Sequence, residues 1–226
     1  MRNTLLICLF SIVLHGSVWA APKPHVISFG KWTTVKWFVG PNEDKGADLK
    51  VRALLVDTRL KEFTLGLPHE VTDRLFVVRR AYRMNDSLPE ESPSVPRWRW
   101  QRGGWLLVDR VTGRITALNL AEFDAYYSVA SWYRDYVAYC GVSDDGKKLS
   151  AMVVQLGRRK PILHKALGAA ASDDEPDSAC PPPQWSRGPV QVAFEPAQNQ
   201  KLTYAVRGHA VDVVNETEDD DEEASK

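Results

Sequence analysis

Apolar residues along this chain fall in short runs, rich in β-branched and aromatic side chains and separated by glycine, proline, asparagine and aspartate. Helical periodicity is nearly absent. Runs at 29–39, 49–57, 75–82, 105–109, 136–142 and 149–156 read as strands. Residues 122–127 fit either a short helical turn or a strand.

The runs recur as a unit. Leu54-Leu55-Val56-Asp57 is followed by a turn and Glu62-Phe63-Thr64-Leu65. Leu106-Leu107-Val108-Asp109 is followed by Thr112-Gly113 and Ile115-Thr116-Ala117-Leu118. Met152-Val153-Val154-Gln155 leads through Gly157 to Ile162-Leu163, and Leu202-Thr203-Tyr204-Ala205-Val206 through Gly208 to Val211-Asp212-Val213-Val214. A further apolar strand precedes each hairpin, at 33–39, 75–82, 136–142 and 190–194. One such meander cannot cover its own apolar faces, so neighbours must stack. The expected fold is all-β: repeated antiparallel meanders, propeller-like with about four blades. A two-sheet β-sandwich of similar strand count is the competing architecture.

The third unit carries a family resemblance. Ser131-Trp132-Tyr133-Arg134-Asp135-Tyr136-Val137-Ala138-Tyr139 resembles the Trp-containing blade opening of TolB-type β-propeller repeats. Ser143-Asp144-Asp145-Gly146-Lys147-Lys148-Leu149 is similar to their Asp-Gly turn, and Val108-Asp109 with Thr112-Gly113 to their closing hairpin. The family's usual Ser-Pro-Asp-Gly is replaced here by Tyr133-Arg134-Asp135. The resemblance spans about half of the chain beyond its leader. It implies a propeller-like scaffold in an envelope or secreted protein, without catalytic residues.

The start of the chain sets the compartment. Arg2, the apolar run 5–13 and Val18-Trp19-Ala20 fit a signal peptide over 1–20, cleaved near Ala20–Ala21. An N-terminal anchor is the other reading, but the run is about half the ~20 residues a spanning helix needs. No transmembrane segment is expected in the mature chain. One all-β domain over 21–215 follows, with loop insertions at 85–96 and 168–183 and a disordered acidic tail over 216–226. Export leaves two cysteines, Cys140 and Cys180. In an oxidising compartment they form a disulfide or remain as two separate thiols.

Charge sharpens this picture. The chain balances 29 Lys+Arg against 29 Asp+Glu. The acids are concentrated in the tail, so the body is mildly basic. Its excess lies in 74–114, which contains no lysine and is rich in arginine, including Arg97-Trp98-Arg99-Trp100-Gln101-Arg102. In a strand this alternation places both tryptophans on one face, opposite Arg97 and Arg99. One reading packs tryptophan into a core with arginine in water. The other is a contact surface made of Arg97, Trp98, Arg99, Trp100 and Arg102, since tryptophan and arginine are enriched at interface hot spots.

Candidate chemistry is sparse. His25, His69, His164 and His209 show no short metal-ligand spacing. There is no Gly-x-Ser-x-Gly elbow, and Gly103-Gly104 is expected at a turn. Asp57, Asp109 and Asp144-Asp145 read as turn residues accepting backbone N–H groups. Trp37, Trp132 and Trp185 are expected between packed sheets. The expectation is a secreted or periplasmic, non-catalytic binding or scaffold module for a protein or envelope component, with no cofactor, no metal and no nucleic-acid partner. A secreted hydrolase with a carboxylate-based site at one end of the repeat is the alternative.

Overall fold

The structure, a computed structural model, describes residues 23–37, 46–85, 98–170, 180–196, 201–208 and 210–213. The proposed signal peptide, the acidic tail, Arg97, His209, residues 86–96 of one insertion and 171–179 of the other lie outside them. The described residues are all-β. In chain order the strands are β1 (Ile27–Phe29), β2 (Thr33–Trp37), β3 (Ala47–Val56), β4 (Arg59–Glu70), β5 (Leu75–Asn85), β6 (Trp98–Asp109), β7 (Ile115–Leu118), β8 (Ser131–Tyr133), β9 (Tyr136–Val142), β10 (Lys148–Gln155), β11 (Leu163–Ala169), β12 (Gln184–Arg187), β13 (Val190–Phe194), β14 (Leu202–Arg207) and β15 (Ala210–Val213). No helix among them is long and apolar enough to cross a membrane.

Strands β1–β7 form one sheet, and five of them close on themselves. Antiparallel pairings run β2–β3–β4–β5–β6. An odd number of strands in a meander leaves the first and last pointing the same way, so closure has to be parallel. It is, through Trp37 opposite Trp100. Each strand of this ring sends side chains into a single cluster: Val35 and Trp37, Leu49 and Val51, Phe63 and Leu65, Ala81, and Trp100. Tyr126 adds its ring against Trp37, 5.7 Å between centroids.

A bulge redirects β6. Arg79 pairs with Trp105 but Ala81 with Arg102, so β6 has one extra residue at Gly103-Gly104. Residues of one parity therefore change faces across the bulge. Trp100 faces the ring cluster, while Leu106 and Val108 join Leu54, Phe76 and Val78 on the opposite side, beneath Ile27, Phe29 and Ile115. The glycine pair is thus within a strand, not at a turn as expected, and neither residue has positive φ. The reason is space: a Cβ on Gly103 would stand 3.0 Å from the Arg80 Cβ.

The remaining strands form two four-stranded antiparallel meanders, ordered β11-β10-β9-β8 and β12-β13-β14-β15. The second sheet is buried on both faces. Val137, Tyr139, Met152 and Val154 pack with Leu120, Trp105 and Leu118 of the first sheet and its exit loop. Ala138, Cys140, Ala151 and Val153 pack with Val192, Phe194, Tyr204 and Val206 of the third. This double burial explains the near-continuous apolar runs of β9 and β10. The third sheet turns Gln184, Gln191 and Thr203 outward around Ala193 and Ala205, which ends the stack on a largely polar face. The first two expected units are merged in the closed sheet, because β5 and β6 pair along almost their whole length.

Residues 122–127 are neither strand nor helix but parts of two successive turns: Phe123 N donates to Leu120 O, then Ser128 N donates to Asp124 O while the Asp124 carboxylate accepts from the Tyr126 and Tyr127 amides. Trp37 is buried in the ring, and Trp132 packs at the contact between the first and second sheets. Trp185 donates its indole N–H to Ser131 O and stacks on Tyr133. Asp145 accepts from the Lys147 amide and the Ser143 hydroxyl. The sulfurs of Cys140 and Cys180 are joined as a disulfide, their Cα atoms 6.1 Å apart.

Asp109 holds the turn after β6. Its Oδ1 accepts from the Val111 amide at 2.8 Å and the Thr112 amide at 3.2 Å, and the Arg74 guanidinium grips both carboxylate oxygens. Arg74 first, then Val111 and Thr112, hold the Asp109 carboxyl well below the usual carboxylate range. A carboxylate with a lowered folded-state pKa contributes stability above its unfolded value near 3.9 and loses it as pH falls. Asp109→Asn should therefore lower urea stability at pH 7, with the gap from wild type shrinking below about pH 4. A gap of constant size across that range would show that the charge contributes nothing.

Candidate binding surface

The Arg-Trp segment lies on the outer half of the β5–β6 ribbon. The antiparallel register places Arg83 opposite Trp100 and Asn85 opposite Trp98 on one face. Tyr82 opposite Gln101 and Met84 opposite Arg99 occupy the other. Ring solvation is graded along the ribbon. Trp100 is half-buried and meets Phe63 edge-on at 5.1 Å, whereas Trp98 is 58% exposed. Tyr82 and Met84 are also exposed, at 36% and 43%. Large apolar side chains thus reach solvent on both faces of the same ribbon.

Arginines stack between these rings. The Arg83 guanidinium stands 5.5 Å from the Trp100 ring and 6.0 Å from that of Trp98. Among the described residues no carboxylate pairs with it. Arg102 lies 4.0 Å over Trp37, and burial pushes its guanidinium pKa down. Arg80 is paired with Glu62 at 2.9 Å. Each exposed cation–π contact is worth about 0.5–1 kcal/mol, enough to hold an arginine in place while leaving its N–H edge for a partner.

The sequence-named residues therefore divide. Trp98 and Trp100 share a face, as strand alternation requires, and Arg99 faces away from them. Arg102 shares the tryptophan face and roofs the ring cluster, so it belongs to packing. Trp98 contradicts the reading in which both tryptophans are core, since its ring is mostly in water. Sequence reasoning missed Arg83, Tyr82 and Met84. The available signal was the pairing of 82–85 with 98–101, which only the β5–β6 register supplies.

A half-buried arginine braces the ribbon from below. Arg79 donates to Gly103 O, Ala125 O and Ser128 O, tying the 121–130 loop to the bulge. Burial, then the neighbouring Arg102 charge, pushes its pKa down to about 10, so it stays charged at neutral pH. Among the described residues no group of three or more His, Cys, Asp or Glu is placed to hold a metal ion. Comparison with family models, with curated proteins and with solved structures returned no match.

Proposed function

We propose that this is a secreted or periplasmic, non-catalytic β-repeat protein that binds another protein or an envelope component through the outer β5–β6 ribbon. The exposed Trp98, with Arg83 stacked beside it, is the observation that carries the reading. A solvent-facing tryptophan beside a stacked arginine is the composition of an interface hot spot. The excess of arginine over carboxylate on the ribbon favours a partner bearing acidic groups. Export rests on the leader read at 1–20. Kinship with TolB-type repeats rests on the motifs at 131–139 and 143–149.

The test is capture from the organism's own envelope extract. Trp98→Ala and Arg83→Ala should each lower recovery of the bound partner at least tenfold, with the melting temperature almost unchanged, since surface substitutions fall within about 0.5 kcal/mol. Equal capture by wild type and both variants would refute the ribbon as the contact surface. Turnover on a panel of hydrolase substrates would refute the non-catalytic reading.

A further inference from the structure

A second site stands at the opposite end of the first sheet, formed by three connections. The segment before β1, the two-residue β3–β4 turn and the β6–β7 turn enclose an open cavity of about 430 Å³ lined by His25, Val56, Asp57, Arg59, Lys61, Thr112 and Gly113. Its walls are preorganised. His25 Nδ1 is 2.5 Å from Asp57 Oδ2, and the Val26 amide donates to Asp57 Oδ1 at 3.0 Å. Both oxygens of the acid are thereby engaged. His25 first, then Val26, hold the Asp57 carboxyl below its usual range, so it stays ionised.

The backbone is bent to make this arrangement. Asp57 and Thr58 have φ of 50° and 67°, the left-handed pair that a two-residue hairpin turn between Val56 and Arg59 requires. Gly113 is needed for the same close approach. With φ of +64°, a Cβ there would stand 2.9 Å from His25 Cγ and 2.9 Å from Val56 Cγ1. Arg59 and Lys61 have no ion-pair partner among the described residues. Among the described residues Asp57 is the one acid of the lining, beside Arg59, Lys61 and His25.

We infer that this cavity is an anion site for a phosphate group, with Arg59 and Lys61 supplying the charge. A guanidinium fork and an ammonium, both carried by β4 and facing the same cavity, match a tetrahedral oxyanion with several acceptor oxygens. The phosphate belongs either to a soluble ester or to a lipid headgroup. The volume fits the headgroup or a small ester, at the lower end of ligand pockets generally.

Titration of the purified, isotope-labelled chain with sulfate at constant ionic strength tests the site. Saturable amide shifts are expected, confined to residues 25–26, 56–61 and 112–113. The double variant Arg59→Gln/Lys61→Gln should bind at least tenfold more weakly, and Lys61→Arg within threefold of wild type. Non-saturating shifts, shifts reproduced by chloride, or full binding by the double variant would overturn the inference. Glycerol phosphate and phosphatidic acid vesicles then compete against sulfate. Displacement by either supports the site and names the source, and displacement by neither overturns the phosphate assignment. Ribbon variants leave this titration unchanged, so the two sites fail or stand separately.

Discussion

Tyr139→Ala should unfold the protein more readily than any surface change, by about 3–5 kcal/mol, the range for removing a large buried aromatic ring. Tyr139 is wholly buried on the face of β9 that meets the first sheet, with Phe123 edge-on at 5.2 Å. Its hydroxyl donates to Ala121 O at 2.6 Å. Alanine would open a cavity at the contact between two sheets and orphan that carbonyl. Tyr139→Phe keeps the ring and should cost only about 1 kcal/mol. Urea denaturation of the three proteins measures both, and equal stability of the alanine variant would mean that the first two sheets do not pack as described.

The same residue has an alkaline signature. Burial, then the Glu122 charge, pushes the Tyr139 phenol above its ordinary range. The unfolded chain releases that proton near pH 10, while the folded protein keeps it. Stability therefore falls as pH rises beyond about 10. Tyr139→Phe should flatten that decline.

Reduction of the Cys140–Cys180 disulfide is expected to have an effect of similar size. The bond closes a loop with a sequence separation of 40, for which the chain-entropy model gives about 4 kcal/mol. For a chain of this length that is a fall of about 8–16 °C in melting temperature. The bond also has a structural role. Both cysteines belong to the cluster between the second and third sheets, so the crosslink ties β9 to the segment that enters β12. Differential scanning calorimetry with and without dithiothreitol measures the effect. An unchanged melting temperature on complete reduction would refute it, and Cys140→Ala/Cys180→Ala should reproduce the reduced protein.

The all-β class was legible because strand signals are local. The continuous runs behind β9 and β10 and the turn chemistry of Asp109 needed no knowledge of distant residues. Face assignments in β6 were not legible. The bulge at Gly103-Gly104 reverses alternation, and nothing in the segment itself distinguishes a bulge glycine from a turn glycine. Ring closure was equally hidden, since Trp37 and Trp100 meet through four intervening pairings. The exposed side chains of the ribbon and the His25 cavity share that cause. Each is assembled from strands or turns far apart in sequence, and only the register brings them together.

The middle position of the second sheet has a consequence for how this chain can grow. An extra residue in β9 or β10 would displace two interfaces at once, one toward each neighbouring sheet. The outer sheets are pinned on fewer sides and tolerate added length at their connections. The three longest connections between strands follow this rule: 86–97 joins β5 to β6 within the first sheet, 119–130 joins the first sheet to the second, and 170–183 joins the second to the third. Within the second sheet the connections are short, two residues between β8 and β9, five between β9 and β10 and seven between β10 and β11. Variation in length is thereby directed to connections outside the second sheet, while the second sheet keeps a fixed spacing.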